Sequence, residues 1–177
     1  MFLGLDVSSS ITGVSLINDR GDVLLCDHID TRKAKSFFEK AELVKKYFED
    51  HRYTQTVVQE IWIEQSLQSF RSGFSSAKTL SALSRFNGVV SWIAYKAYGV
   101  EPNYVAASSA RKLSGVTIKR GDKAKEKVLK YLLDNEPCFS VEYTKHGNPR
   151  PGYYDRADSL IVAMAGRELW KQKNLTS

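Results

Sequence analysis

Cysteine is scarce in this 177-residue chain. Cys26 and Cys138 stand alone, with no second thiol or histidine at zinc-ligand spacing, so a structural zinc site is excluded and both thiols are expected to be buried or half-buried. Long hydrophobic runs are missing too. No stretch approaches the roughly 20 apolar residues that span a bilayer, and Met1–Leu5 lacks a basic segment ahead of an apolar one. No membrane partner is expected, and the expected location is the cytoplasm. Prolines number four, three of them between Asn135 and Gly152, and there is no internal repeat or low-complexity tract. With 42% hydrophobic and 26% charged residues, the chain can bury a substantial core, and a single domain over residues 1–177 is expected.

Acidic charge is in the minority: the net charge is +6 and the pI about 9.2. Such a balance suits a polyanionic partner, because lysine and arginine release counterions when they contact phosphates. Arg111, Lys112, Lys119, Arg120, Lys123, Lys125, Lys127, Lys130, Lys145 and Arg150 all fall in the second half. That concentration suggests one basic face, although Lys127 and Lys130 equally suit a solvated helix surface.

The apolar pattern predicts strands over Phe2–Val7, Ile11–Ile17 and Asp22–Ile29, with Asn18-Asp19-Arg20-Gly21 as a turn, which together make a three-strand antiparallel meander. An amphipathic helix follows over Ala34–His51, then a β-rich run over Thr56–Ile63 that ends at Glu64. A strand reached through a helix is expected to lie parallel to an earlier one. Beyond a polar link over Gln65–Ser76, a helix over Ala77–Tyr98 carries apolar residues on more than one stripe, which suits either a partner subunit or a place sandwiched within the monomer. A strand at Glu101–Val105 leads to a short helix capped by Ser108 or Ser109 and ending at Leu113. A lysine-rich helix over Lys123–Leu133, a loop over Asn135–Gly152 and a helix over Asp155–Trp170 complete the chain. The fold class is therefore α/β, a mixed sheet of five strands flanked by helices.

Asp6 and Glu64 each close an apolar strand, where a carboxylate is costly unless paired or metal-bound. Asp155 and Asp158, three apart at the head of a helix, project from nearly one face. Each acid has an ordinary reading, the helix macrodipole for the last two and an exposed loop for Glu64. Four acids from separated segments nevertheless suit two divalent ions about 3.5–4 Å apart, which position a water and stabilise the leaving oxygen in phosphodiester hydrolysis.

Gly4-Leu5-Asp6-Val7-Ser8-Ser9-Ser10 through Thr12-Gly13, Ile63-Glu64-Gln65, and Asp155-Arg156-Ala157-Asp158-Ser159-Leu160 resemble the three acidic motifs of the RuvC family of Holliday junction resolvases. The order and spacing match from Phe2 to about Glu168. The resemblance implies an RNase H-like fold, a homodimer, and nicking of paired strands of branched DNA at a four-way junction. Mg²⁺ would serve, with Mn²⁺ able to substitute, as two ions per active site held by Asp6, Glu64, Asp155 and Asp158. DNA contacts are implied at Arg111 or Lys112 and at Lys125, with Lys119 and Lys123 nearby. The family places a base-stacking aromatic soon after the middle glutamate. Here Leu67 occupies the aligned position and Phe70, beside Arg71, is the nearest aromatic, so Phe70 suits either stacking or anchoring its loop. The opening motif has Val-Ser-Ser after Asp6 where the family often has Pro-Gly, which points to a divergent, phage-encoded member. His146 could shuttle protons but more simply decorates its loop. Rival readings are a broader nuclease on flaps, forks or RNA-containing hybrids, and a non-catalytic DNA-architecture protein.

Overall fold

The computed structural model describes residues 1–51, 57–65 and 77–175. Its elements are β1 (Phe2–Asp6), β2 (Ile11–Ile17), β3 (Val23–Asp30), α1 (Phe37–Asp50), β4 (Glu60–Glu64), α2 (Ala77–Tyr98), β5 (Pro102–Val105), α3 (Ala107–Leu113), α4 (Ala124–Asn135) and α5 (Tyr153–Leu175). The sheet order is β3-β2-β1-β4-β5. β1, β2 and β3 pair antiparallel, and β4 joins β1 and β5 in parallel, as expected of strands reached through helical crossovers.

Side-chain alternation sorts the core into two layers. Leu3, Leu5, Val14, Leu16, Ile61 and Ile63 pack with Val44, Phe48, Phe86 and Val90 of α1 and α2. Phe2, Ile17, Trp62 and Val105 pack on the other face with Leu160, Ile161 and Ala165 of α5, and with Val128 and Leu132 of α4. β2 is covered on both faces and is buried throughout, which is why its sequence reads as a nearly continuous apolar run.

Helix α5 lies unusually close to the strands, and glycines permit this. A methyl group at Gly4 would come within 2.3 Å of the Ser159 carbonyl oxygen, one at Gly13 within 1.9 Å of the Asp155 carbonyl oxygen, and one at Gly166 within 2.2 Å of the Trp62 ring. Ser15 of β2 meets Ser159 of α5 at 2.7 Å, so the polar atoms buried in this narrow seam satisfy each other.

Several element ends differ from the sequence reading, and local hydrogen bonding explains them. α1 begins at Phe37 rather than Ala34 because the Ser36 hydroxyl accepts the Glu39 amide. β4 begins only at Glu60; Val57 is exposed. α3 begins one residue before Ser108, so Ala106 stands at the cap and neither serine supplies a capping bond. α4 is shifted to Ala124–Asn135. α5 is longer at both ends, starting just after the left-handed Gly152 (φ 95°) and continuing past Trp170, where the Asn174 amide bonds the Trp170 carbonyl. The Asn18 side chain closes the first turn by accepting the amides of Gly21 and Asp22. Cys26 is half-buried as expected, whereas Cys138, in the loop after α4, is exposed.

Gly13→Ala is expected to lower the unfolding free energy by about 1–3 kcal/mol, towards the upper end because the obstructing atom is backbone. Urea denaturation measures this, and an unchanged midpoint would contradict the seating of α5 on Gly13.

Candidate active site

The ends of β1 and β4 bring the first two acids together. Leu5 pairs with Ile63, so Asp6 and Glu64 are the next residues on adjacent parallel strands, which lie about 4.8 Å apart. Both side chains share the sheet face that carries Gly4 and Trp62, the face under α5. Asp6 is also the cross-strand partner of Gly13, and Gly13 touches the backbone of Asp155. The first turn of α5 is thereby laid over the strand ends, with Asp155 and Asp158 on neighbouring helical positions. Asp158 is 5% exposed, while Asp6, Glu64 and Asp155 are half-buried.

Burial and mutual repulsion dominate the electrostatics. Asp6 is held well above the usual carboxylate range by desolvation first, then by the charges of Glu64, Asp158 and Asp155. Glu64 is pushed up to about 7 by desolvation and by Asp158, against the pull of Arg111 and Lys125. Asp155 and Asp158 are likewise raised by burial, with Lys125 the leading opposing charge for both. The Lys125 ammonium stands 3.9 Å from Asp158. Arg111 and Lys125, from α3 and α4, are therefore brought to the site as the sequence suggested.

The other basic candidates have different surroundings. Lys112 and Lys119 are exposed, with the Lys119 amide bonded to Asp122, and Lys123 pairs with Glu126 at 3.0 Å on the surface of α4. Leu67, Phe70 and Arg71 lie outside the described residues. His146 is exposed in a loop closed by a Tyr143–Pro149 bridge.

A supporting network escaped the sequence reading. Arg156, between the two helical acids, turns away from them and donates through Nε to His28 Nδ1 at 2.9 Å and through Nη2 to Asp27 Oδ1 at 2.8 Å. Asp27 also accepts the Tyr47 hydroxyl at 3.2 Å. Desolvation and the Arg156 charge lower the His28 pKa, favouring a neutral imidazole that can accept at Nδ1. This fork ties the first turn of α5 to β3 and α1. The only signal available in the sequence was an arginine embedded in an acidic motif.

Among the described residues, no group of three or more His, Cys, Asp or Glu side chains is arranged, as the side chains stand, to hold a metal ion. The donor set still fits a hard cation: four carboxylates, no thiol, and a shared excess of negative charge that repels itself. Magnesium is commonly held in such open arrangements, with water and substrate phosphate completing the shell.

In structure, the chain is similar to Thermus thermophilus RuvC in complex with a Holliday junction substrate, with a TM-score of 0.66 and 15% identity over 97% of this chain and 94% of the other. The fold is that of RuvC. A second structure of Thermus thermophilus RuvC gives a TM-score of 0.63 at 17% identity, covering 97% of this chain and 96% of that one. The yeast mitochondrial Holliday junction resolvase Ydc2 gives 0.57 at 16% identity, covering 98% and 80%. No protein-family model and no curated protein sequence matches the chain. The RuvC fold accounts for the five-stranded mixed sheet, and it bears out the RNase H-like architecture inferred from the three motifs.

Two outcomes are expected from this geometry. Glu64 binds a proton in the native state up to about pH 7, against about 4.5 when unfolded, so metal-free stability should fall as pH rises through that window. Asp6, Asp155 and Asp158 act in the same direction, whereas Asp30, held down to about 2 by Arg32, loses its contribution only below its ordinary value. Glu64→Gln should flatten the fall and raise the metal-free Tm near pH 8, by roughly 2–4 °C per kcal/mol of relieved repulsion; scanning calorimetry across pH decides, and a Tm lower than wild type would contradict the electrostatics. Arg156→Ala should lower the unfolding free energy by about 1–3 kcal/mol, read by urea denaturation, because it leaves Asp27 without its charged partner.

Proposed function

We propose that the chain is a structure-selective endonuclease that resolves Holliday junctions, and other branched DNA, by metal-dependent hydrolysis of phosphodiester bonds. The observation that carries this reading is the meeting of four carboxylates at the strand ends of a RuvC fold, where their shared charge lacks full compensation from the protein. Asp6, Glu64, Asp155 and Asp158 would hold Mg²⁺, or Mn²⁺ in its place, as two ions per site. When bound, such ions activate a water and stabilise the developing charge of an in-line phosphoryl displacement.

The chain's own residues supply position and charge. Asp6 and Glu64 are fixed by their strands, and Asp155 and Asp158 by the seat of α5 on Gly4 and Gly13. Arg111 and Lys125 flank the acids, and on this reading they would neutralise phosphates of the cut strand. Such contacts set register without reading sequence, as suits an enzyme that recognises DNA shape.

A homodimer would set two such sites on symmetric strands of a four-way junction. An apolar strip on α2 supports this: Trp92 is 61% and Tyr95 39% exposed, and a cavity of about 430 Å³ between α1 and α2 is lined by Phe48, Val89, Trp92 and Ile93. Packing among the described residues accounts for Phe86, Val90 and Ala94 of the same helix but leaves that strip uncovered. No helix among the described residues is long and apolar enough to cross a membrane.

Asp6→Asn should reduce Mg²⁺-dependent nicking of a four-way junction to background while its junction Kd stays within about threefold of wild type. The assay compares junction, flap, linear duplex and RNA–DNA hybrid at fixed salt. Retained cleavage by the variant would sink the metal assignment, and equal wild-type rates on junction and hybrid would sink the resolvase reading.

A further inference from the structure

Three of the lysines in and just before α4 are matched by nearby acids. Lys123 pairs with Glu126 at 3.0 Å, Lys127 with Asp122 at 3.5 Å and Lys130 with Asp134 at 2.9 Å. The turn between β3 and α1 is different. Residues 30–40 hold four cations, Arg32, Lys33, Lys35 and Lys40, against two acids, Asp30 and Glu39. Arg32, Lys33 and Lys35 are exposed, and neither Lys33 nor Lys35 has a carboxylate within 4 Å of its ammonium among the described residues.

This turn is locked to the carboxylate site. Thr31 is fully buried; its amide donates to the Ser10 carbonyl at 2.9 Å, and its hydroxyl lies 3.1 Å from the carbonyls of both Ser9 and Ser10. Lys40 donates its ammonium to the same Ser9 carbonyl. Ser8–Ser10 is the link that leaves Asp6, so at an extended rise of about 3.5 Å per residue Ser9 lies within roughly 10 Å of the first acid. Asp30 grips Arg32 at Nε (2.9 Å) and Nη2 (2.6 Å), holding the guanidinium at the end of β3. The Arg32 charge reaches Asp155, whose pKa it lowers. Arg111 and Lys125 approach from α3 and α4, near Glu64 and Asp158. Two basic flanks therefore border one acidic centre.

We propose that the β3–α1 turn, through Lys33 and Lys35, with Arg32 fixed beside them by Asp30, is a phosphate-binding surface that holds the DNA strand on the Asp155 side of the carboxylates, opposite the flank formed by Arg111 and Lys125. The proposal rests on the nuclease reading and adds to it a second contact segment. The Phe38 ring, 78% exposed in the first turn of α1, adds an aromatic face of the kind on which unpaired bases stack.

The test is binding of a labelled four-way junction and a linear duplex in EDTA, across a salt series, by wild type, the double variant Lys33→Ala/Lys35→Ala, and Lys46→Ala as a control for net charge on the exposed side of α1. The double variant is expected to raise Kd on the order of fivefold to tenfold near 0.1 M salt and to reduce the slope of log K against log salt by roughly 1–2, with Lys46→Ala close to wild type. Circular dichroism melts of the variants should overlay wild type, since neither lysine is packed. Wild-type Kd and slope in the double variant, or an equal loss in Lys46→Ala, would overturn the proposal. If wild type binds junction and duplex alike, the junction reading fails, and the duplex series alone then decides the role of the turn.

Discussion

The contact on which everything else depends is the backbone-to-backbone approach between the first turn of α5 and the strands β1 and β2. Gly4 and Gly13 have no side chain on the face where Ser159 and Asp155 lie, and a single methyl group at either position would overlap helix backbone. Glycine in a strand interior is ordinarily a weakness; here it is what lets a helix come down onto a sheet. The Ser15–Ser159 hydrogen bond closes the same seam without adding bulk. Any wider separation would lift Asp155 and Asp158 away from Asp6, so the geometry of the acids is inherited from the packing of the fold.

That packing holds like charges together, which a purely structural site would avoid. Desolvation raises all four carboxylates, and Asp6 feels each of the other three. The free protein therefore carries a local destabilisation that a bound cation would relieve, and the binding of any such cation would be coupled to stability and to pH through the same groups. Concentrations of perturbed acids of this kind mark functional sites more often than structural ones.

Much of this was legible in the sequence, for identifiable reasons. β2 and α2 run over the stretches their apolar patterns indicate, because each is packed on more than one side and the signal is dense. Asp6 and Glu64 stood out as charges ending apolar runs, a pattern that burial makes costly and therefore informative. The failures share a cause as well: they turn on which partners meet in space. Among the described residues Lys33 and Lys35 stand clear of acids, whereas Lys127 is paired with Asp122 just ahead of α4 and Lys130 with Asp134 one turn further along it. His28 read as an ordinary strand residue until β3 set it against Arg156 and Gly152.

Arg156 shows how a cation can sit inside an acidic motif without quenching it. Successive helical residues point about 100° apart, so the residue after Asp155 need not face the acids. Its guanidinium is instead turned to Asp27 and His28 and lies over the Tyr153 ring at 4.9 Å. The positive charges that act on Asp155 and Asp158 come from other elements, Lys125 on both, Arg111 on Asp158 and Arg32 on Asp155. Arg156 thus uses its charge to anchor the helix, while the cations around the site remain peripheral and partly exposed. On the proposed reading, a phosphate backbone passing over the carboxylates would meet those peripheral cations first, and the acids would be left to a cation.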